Sequence, residues 1–282
     1  MRAYLALSRS AHGVLDIAMP GFAALLWLGR FPAWDVLVVA LVTALAGYTA
    51  IYALNDLVGV KVDREKFAES GPNAGYGVEA SDLRYPIARG KLGFGRGLAW
   101  FIAWYLIALA GAWWLNPWLL VVVVAAPILE TIYCQLFKVS WWRVLVSGVV
   151  KSLGAIAAVL VVVPEPNPAW LGLMVAWLMA WEIGGQNVPA DWNDVEEDRR
   201  VGARTIPLVF GPRVAGTVVL VALIATVALS LWLPLMSPLA LGWPFRAATL
   251  AAGFFLLLVP GFRLFRSLEG RRAAYLFDRA SL

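Results

Sequence analysis

Residues 191–207 read DWNDVEEDRRVGARTIP and follow directly on a long apolar segment. Three aspartates in this stretch are spaced i, i+3 and i+7: Asp191, Asp194 and Asp198. On a regular helix they fall within an arc of roughly 60°, with Asn187 one turn earlier, whereas Glu196 and Glu197 point away. Like charges on one stripe repel each other unless a cation neutralises them. The pattern predicts a Mg²⁺ site, because Mg²⁺ prefers oxygen ligands and bridges carboxylates to phosphates; a solvated acidic helix end is the alternative.

The composition of the whole chain predicts a membrane protein. Its 282 residues are 61% hydrophobic and 15% charged and include 15 tryptophans, which is too apolar for an ordinary soluble domain. Apolar runs near 20 residues long can cross a bilayer as helices. We therefore predict an all-α transmembrane helical bundle of eight spans, or of nine with the last cut short. The eight spans lie near residues 13–30, 35–57, 96–115, 117–137, 144–163, 168–190, 212–235 and 244–264.

The basic residues indicate how these spans are oriented. All but three of the 23 Lys and Arg lie in the N-terminus, the tail or the connections on one side, the exceptions being Arg30, Lys151 and Arg246. The positive-inside rule places that side in the cytoplasm, so the net charge of +5 reflects topology and not nucleic-acid binding. We predict an integral protein of a bacterial or archaeal inner membrane with a cytoplasmic N-terminus. The single cysteine, Cys134, excludes an internal disulfide.

A second carboxylate stripe follows the second span, within the sequence ALNDLVGVKVDREKF. Asn55 and Asp56 leave the apolar run there, and Asp63, seven residues on, lies about 20° from Asp56 around a helix. Four spans separate the two stripes, so the pattern predicts a single membrane domain of two four-helix repeats, about 1–137 and 138–282. We expect such a bundle to bring both stripes to one cytoplasmic mouth, where metal ions are held against a diphosphate.

The first span begins with three polar residues on one helix face, at i, i+3 and i+7: Arg9, His12 and Asp16. A charge inside lipid is expensive, on the order of 2.5–3.5 kcal/mol at a bilayer centre, so such residues need partners. One interpretation is a His12–Asp16 pair near the interface with a purely structural role. The other is that this face lines a cavity and binds a substrate.

The two aspartate motifs resemble those of UbiA-type intramembrane prenyltransferases. The first is Asn-Asp-x-x-x-x-x-x-Asp, and the second is Asp-x-x-Asp-x-x-x-Asp followed by Gly202, Thr205 and Pro207. The resemblance implies that the motifs bind Mg²⁺ and the diphosphate of a polyprenyl donor, and that the prenyl cation attacks an acceptor in the membrane. It implies six ligands: Asn55, Asp56, Asp63, Asp191, Asp194 and Asp198. It implies four residues on which catalysis depends: Asp56, Asp63, Asp191 and Asp198.

The chain departs from the family pattern within the first motif. The family usually has an aspartate four residues after the Asn, where this chain has Gly59. We expect a metal ion there to be held by fewer protein oxygens and more water. Residues 84–90 resemble the family's Arg-Pro-x-x-x-Gly stretch with one residue inserted, and a ninth family helix is expected to begin near residues 276–278.

Basic residues near the motifs are candidates for binding the diphosphate. Arg64, next to Asp63, and Arg89, in the family-like segment, are the preferred phosphate ligands. Lys151 lies inside the fifth span and is expected to pair with a motif carboxylate or with the diphosphate. The candidate substrate-binding residues are Arg9, His12, Asp16, Asn55, Arg64, Arg89, Lys138, Lys151 and Asn187.

Two further expectations concern single carboxylates. Glu182 lies about 180° from Asp191 on an ideal helix, so it is excluded from the stripe and is expected to have an interhelical partner. Alanine at Asp191 or Asp198 is expected to abolish diphosphate release and to spare the fold, because it relieves repulsion within the stripe.

Two functions are compatible with these residues. The first is Mg²⁺-dependent transfer of a polyprenyl group from a polyprenyl diphosphate to a membrane-partitioning acceptor, such as an aromatic quinone precursor. The second is cation-coupled transport with the same carboxylates. Coupling sites in such transporters lie near the bilayer midplane, whereas these stripes lie at helix ends beside basic loops, which favours the enzyme. The acceptor stays open among a quinone-precursor ring, a chlorin, a glycerol phosphate, a haem and a sugar phosphate.

Overall fold

The structure is a computed structural model that describes residues 2–66, 68 and 84–282. For residues 11 and 12 it describes the backbone but not the side chains. The regular structure in these ranges is entirely helical, with 82% helix and no strand. The predicted all-α class is therefore confirmed.

The described chain forms two compact units. The first comprises the helices up to residue 135 together with residues 153–166, and the second comprises residues 136–152 and 167–282. Each unit carries one of the two aspartate motifs. The predicted relation of the two halves as four-helix repeats stays a prediction.

Among the described residues, six complete helices belong to the first unit: α1 (Arg2–Leu7), α2 (Ser10–Asp16), α3 (Ala18–Leu28), α4 (Trp34–Lys66), α5 (Phe94–Leu115) and α6 (Leu119–Gln135). The later part of α7 (Arg143–Val162) also belongs to it. α4 and α5 approach closely at Gly111, where a Cβ would run into the Thr43 side chain. Small residues at such contacts let membrane helices pack against each other.

α4 is a single unbroken helix of 33 residues that carries the whole first motif. At 1.5 Å per residue it is about 50 Å long, well beyond the ~30 Å hydrocarbon thickness of a bilayer. The predicted second span ended at residue 57, whereas the helix continues to Lys66. Asp56 and Asp63 therefore lie on one continuous helix, as the proposed stripe requires.

The N-terminal segment is broken where the sequence predicted one regular helix face. Arg9, between α1 and α2, adopts a left-handed conformation with φ 43° and ψ 47°, and a turn at Ile17 separates α2 from α3. A left-handed residue interrupts the helical periodicity. The predicted helical projection therefore does not apply to Arg9, and tertiary contacts decide where its side chain lies.

Seven helices follow α7 in the second unit: α8 (Pro168–Trp181), α9 (Val188–Asn193), α10 (Val195–Arg200), α11 (Ile206–Trp232), α12 (Trp243–Ala252), α13 (Val259–Ser267) and α14 (Gly270–Ala280). A π-helix, Glu182–Asn187, joins α8 to α9, and a second, Gly253–Leu258, joins α12 to α13. Two short 3₁₀ turns occupy Leu136–Lys138 and Leu233–Met236. The core of this unit is built from buried apolar residues that include Val188, Trp192, Val219, Leu223, Leu264 and Leu276.

The segment that carries the second motif is interrupted twice. The π-helix precedes α9, and Asp194, with φ −93° and ψ 14°, ends α9 before α10 begins. Pro189 has no backbone N–H, so the α-helical hydrogen bond to the residue four positions earlier cannot form there. The prediction of one regular helix through the three aspartates is wrong because Asp194 breaks the helix between Asp191 and Asp198, and an ideal projection therefore does not place their side chains.

Six of the described helical stretches are long and apolar enough to cross a membrane: Trp34–Lys66, Phe94–Leu115, Leu119–Lys138, Arg143–Val162, Ile206–Met236 and Trp243–Ser267. They correspond to the second, third, fourth, fifth, seventh and eighth predicted spans. Gly13–Leu28 is a shorter apolar helix, and the sixth predicted span is the interrupted segment from α8 to α9. The number of spans, eight or nine, stays a prediction.

Residues 276–278, where a ninth family helix was expected to begin, lie inside α14. This helix has 11 residues, and it turns a buried apolar face toward α9. Gln186 of the π-helix donates hydrogen bonds to the Phe277 carbonyl at 3.4 Å and to the Ser281 hydroxyl at 3.1 Å. α14 therefore supports the segment from which the second motif projects.

Candidate functional site

The first aspartate motif lies toward the end of α4. Asp56 is buried, with 3% of its surface exposed, and Asp63 follows two turns later on the same helix. A Cβ at Gly59 would lie 3.0 Å from the Asp63 Oδ2 atom. The bare backbone at Gly59 is therefore what allows the Asp63 carboxylate to point back along the helix toward Asp56.

Arg9 contacts the first motif from the N-terminal segment. Its Nη2 donates a hydrogen bond to Asn55 Oδ1 at 3.3 Å and lies 3.7 Å from an oxygen of Asp56. The guanidinium also sits over the Tyr52 ring, 5.4 Å from the centroid, and the Tyr52 hydroxyl donates a hydrogen bond to the buried Asp16. The structure thus connects Arg9 and Asp16 through Tyr52, which the sequence did not single out. The His12 side chain lies outside the described residues.

The Asp63 carboxylate is surrounded by charges of both signs. The charged side chains that act on it are Asp56, Lys66, Arg9 and Arg84. Arg84 belongs to the family-like segment 84–90, in which the sequence favoured Arg89 instead. Arg64 and Arg89 are both exposed, and their proposed phosphate-binding roles stay predictions.

Glu130 of α6 is a further carboxylate at this motif, and the sequence did not identify it. Its side chain is buried, and its Oε1 accepts a hydrogen bond from Asn55 Nδ2 at 2.5 Å. The same Asn55 nitrogen lies 3.5 Å from the Cys134 sulfur. Asn55 therefore bridges Arg9 on one side of its amide and Glu130 on the other. An ionisable residue within an apolar span was the signal that could have pointed to it.

The second motif distributes its aspartates over two short helices. Asp191 lies on α9 with 12% of its side chain exposed, and Asp198 lies on α10 and is 1% exposed. Asp194 lies at the break between these helices and accepts a hydrogen bond from Asn193 at 3.0 Å. That the stripe of the second motif faces the stripe of the first across one cavity stays a prediction.

Glu196 and Glu197, the two acidic residues outside the stripe, lie in different surroundings. The sequence predicted that Glu196 and Glu197 point away from the stripe. Glu196 is exposed, but Glu197 is buried at 3% exposure, and its Oε2 has no hydrogen-bond partner among the residues described. A buried carboxylate oxygen of this kind is costly unless something satisfies it.

Arg143, at the start of α7, pairs with the first aspartate of the second motif. Its Nη1 donates to both carboxylate oxygens of Asp191, at 3.0 and 3.1 Å, and only 7% of the Arg143 side chain is exposed. The guanidinium also lies over the Phe137 ring, 4.9 Å from the centroid. The sequence did not single out Arg143, because it belongs to a basic connection, where cations are usually explained by topology.

The π-helix brings Glu182 and Asn187 to one partner on α7. The Ser147 hydroxyl donates to Glu182 Oε1 at 2.6 Å and accepts from Asn187 Nδ2 at 3.1 Å. Hydrogen bonds in a π-helix join residues five apart, so residues 182 and 187 share a face there, whereas in an α-helix they diverge. Glu182 therefore has the interhelical partner that was expected, and Asn187 is hydrogen-bonded to the same Ser147 hydroxyl.

The two candidate lysines lie in different surroundings. The Lys151 ammonium is partly buried and lies 5.5 Å from the centroid of the Trp181 ring. Lys138, at the end of the 3₁₀ turn after α6, is exposed and lies beside a basic connection. Their proposed contacts with a substrate stay predictions.

The residues of both motifs fit Mg²⁺. Within the described part of the chain no three His, Cys, Asp or Glu side chains converge into a preformed metal cage. Mg²⁺ does not require such a cage, because it keeps several waters and is commonly bound by one or two carboxylates together with substrate phosphates. Asp56 and Asp63, on one continuous helix, provide two carboxylates as oxygen donors for such an ion.

The sequence is similar to a known family and to a curated protein. The family model described as the UbiA prenyltransferase family matches residues 17–282. The bacteriochlorophyll synthase 33 kDa chain of Rhodobacter capsulatus is 31% identical over 140 residues, which is 47% of this chain and 46% of that protein. The match thus spans less than half the length of this curated relative.

Two solved structures show the same fold. A UbiA homologue from Aeropyrum pernix in its apo state has a TM-score of 0.74 at 18% identity, covering 96% of this chain and 94% of that one. A UbiA homologue from Archaeoglobus fulgidus bound to DMAPP and Mg²⁺ has a TM-score of 0.69 at 19% identity, covering 99% of both chains. The similarity extends over nearly the whole length of each structure.

Proposed function

The chain belongs to the UbiA prenyltransferase family and is an integral membrane protein, and on that premise we propose that it transfers a polyprenyl group from a polyprenyl diphosphate to a lipophilic acceptor. One observation carries the proposal: the buried Asp56 and the neighbouring Asp63 lie among Arg9, Lys66 and Arg84 at the end of α4. Paired carboxylates with surrounding cations suit a metal ion held against an anionic diphosphate. The Archaeoglobus fulgidus homologue that binds DMAPP and Mg²⁺ supports this chemistry.

The position of the motif along α4 favours the enzyme over the transporter. Asp56 lies 22 residues after Trp34, which is about 33 Å along the helix axis, and Asp63 lies further still. That distance exceeds the ~30 Å hydrocarbon core, so the carboxylates lie near a helix end and not at the bilayer midplane. A diphosphate in water with its prenyl tail in lipid matches this position. We propose that the mouth of the site is cytoplasmic, as the basic residues indicate.

The proposed reaction breaks the C–O bond between the prenyl carbon and the diphosphate and joins that carbon to the acceptor, which loses a proton. Mg²⁺, when bound, neutralises charge on the departing diphosphate. In the first unit, Asp56 and Asp63 would hold the ion, while Lys66 and Arg84 would bind phosphate oxygens. In the second unit three carboxylates take the same metal-holding role: Asp191, Asp194 and Asp198.

The acceptor would be bound by polar groups near the start of the chain. Arg9, Tyr52 and Asp16 form a connected set in the first unit, and they offer both a donor and a carboxylate to a polar ring substituent. The aromatic face of Tyr52 can also stabilise a prenyl cation, at about 0.5–2 kcal/mol per contact. We propose an acceptor that carries a ring, because the curated relative is named for making a bacteriochlorophyll. The remaining substrate-binding assignments are also proposals: His12, Asn55, Arg64, Arg89, Lys138, Lys151 and Asn187.

The purified protein is expected to release diphosphate and form a prenylated lipid when it is supplied with Mg²⁺, a labelled prenyl diphosphate and a membrane lipid extract. Mass analysis of the labelled product identifies the acceptor class, with ring-bearing lipids and glycerol phosphates as separate outcomes. Omission of Mg²⁺ is the control. Absence of any labelled product across several prenyl chain lengths, or the same yield without divalent metal, would contradict the proposal.

Gly59 determines how much Mg²⁺ the enzyme is expected to need. Because the family's usual aspartate is missing there, the wild type should require more Mg²⁺ for half-maximal rate than its Gly59→Asp variant. The Cβ of the added aspartate at position 59 would lie 3.0 Å from Asp63 Oδ2, so the two carboxylates are close enough to share one ion. Gly59→Ala is the matched control, because it adds the same Cβ contact without an oxygen. If Gly59→Asp leaves the Mg²⁺ requirement unchanged or raises it, the first motif is not a metal site that lacks one ligand.

A further inference from the structure

We propose that Arg143 is a built-in counter-ion of the second aspartate motif, which competes with a divalent metal ion for the Asp191 carboxylate. The inference rests on the proposed function, because it takes Asp191 as a metal ligand. Both carboxylate oxygens of Asp191 accept from the same Arg143 nitrogen, at 3.0 and 3.1 Å. A metal ion that binds Asp191 must share these two oxygens with the guanidinium, whose positive charge repels it.

Arg143 is held in place by contacts other than Asp191. It is the first residue of α7, and its guanidinium lies over the Phe137 ring at 4.9 Å. The Phe137 carbonyl in turn accepts a hydrogen bond from the Arg204 backbone N–H at 2.8 Å, which fixes the turn that carries the ring. One turn further along α7, Ser147 is bonded to both Glu182 and Asn187. The cation therefore stays beside Asp191 when the carboxylate changes partner.

Burial makes this competition strong. The Arg143 and Asp191 side chains are 7% and 12% exposed, so water screens their charges only weakly. A fixed positive charge at hydrogen-bond distance from a metal ligand repels an incoming cation and lowers its affinity. A residue that merely orients a ligand has the opposite effect, because its removal weakens metal binding. The direction of the change on mutation therefore separates the two roles.

The test measures Mg²⁺ binding without any prenyl substrate. Thermal unfolding of the purified protein is followed by tryptophan fluorescence while Mg²⁺ is titrated, for the wild type and for Arg143→Gln. Glutamine keeps a hydrogen-bond donor toward Asp191 and removes the charge. The Mg²⁺ concentration that gives half of the stabilisation is expected to fall about tenfold in Arg143→Gln.

Three further variants assign the effect. Arg143→Lys keeps the charge and should stay close to the wild-type value. Arg213→Met removes an exposed cation from the same unit and should leave the value unchanged. Asp191→Asn combined with Arg143→Gln should not show the higher Mg²⁺ affinity of Arg143→Gln, because the Asp191 carboxylate is absent. If Arg143→Gln unfolds too easily for the titration, Mn²⁺ binding to the folded fraction is measured by electron paramagnetic resonance.

An unchanged or weaker Mg²⁺ affinity in Arg143→Gln would overturn the inference and leave Arg143 with a structural or orienting role. An equal rise in Mg²⁺ affinity in Arg213→Met would overturn the inference as well, because the change in affinity would then come from net charge. The proposed function fails separately. A wild-type protein without transferase activity, but with the Arg143 effect intact, contradicts the reaction and not the competition for Asp191.

Discussion

Asp191→Ala is expected to abolish diphosphate release and to lower the free energy of unfolding by about 3–5 kcal/mol. Activity is lost because the motif loses a metal-binding carboxylate. Stability falls because the buried Arg143 guanidinium loses the counter-ion whose two oxygens it contacts at 3.0 and 3.1 Å. Diphosphate release and thermal unfolding in detergent measure the two effects. The sequence predicted that relief of repulsion would spare the fold, whereas the ion pair with Arg143 leads us to expect a loss of stability for Asp191→Ala.

The double variant Asp191→Ala with Arg143→Met separates the two losses. Removing both charges leaves no uncompensated ion in the interior, so stability should return to within about 1 kcal/mol of the wild type. Activity should not return, because the carboxylate is still absent. A stable Asp191→Ala single variant, or a double variant that is less stable than the single one, would contradict the stabilising role of this ion pair.

Gly184→Leu is expected to destabilise the protein strongly and to inactivate it. Gly184 lies in the π-helix, and a Cβ there would lie 3.0 Å from both the Ala222 Cβ and the backbone nitrogen of Leu223 on α11. Backbone atoms of a helix cannot move aside as a side chain can. Alanine at this position should lower the free energy of unfolding by roughly 1–3 kcal/mol, and leucine should lower it further. Activity should be lost because the displaced segment carries Asp191 out of position.

Gly172→Leu is the matched control for this substitution. Gly172 lies on α8, in the same helical run, and no atom lies within 4 Å of the position that a Cβ would take there. The same change there should be neutral or slightly stabilising, because leucine has a higher helix propensity than glycine. Comparison of the two thermal midpoints, with diphosphate release as the second readout, tests the close packing. Equal midpoints for the two variants would contradict it.

The first motif was predictable to a large extent, and the reason lies in α4. Asp56 and Asp63 lie seven residues apart on one unbroken helix, so their spacing in the chain translates directly into a shared face. The second motif was predictable only as a set of residues. The π-helix before α9 and the break at Asp194 change the periodicity there, so an ideal projection does not carry over to the three aspartates, and it does not reveal that Glu197 is buried.

The sequence by itself determined the all-α membrane class, because a segment in lipid must satisfy its backbone hydrogen bonds internally and long apolar runs therefore become helices. It also determined which oxygen donors are available to a metal ion. Only the tertiary structure decided the partners of those donors. Arg143 meets Asp191 across 48 residues of sequence, and Glu130 meets Asn55 across 75. Such contacts depend on how helices pack against each other, and no local spacing or periodicity encodes that packing.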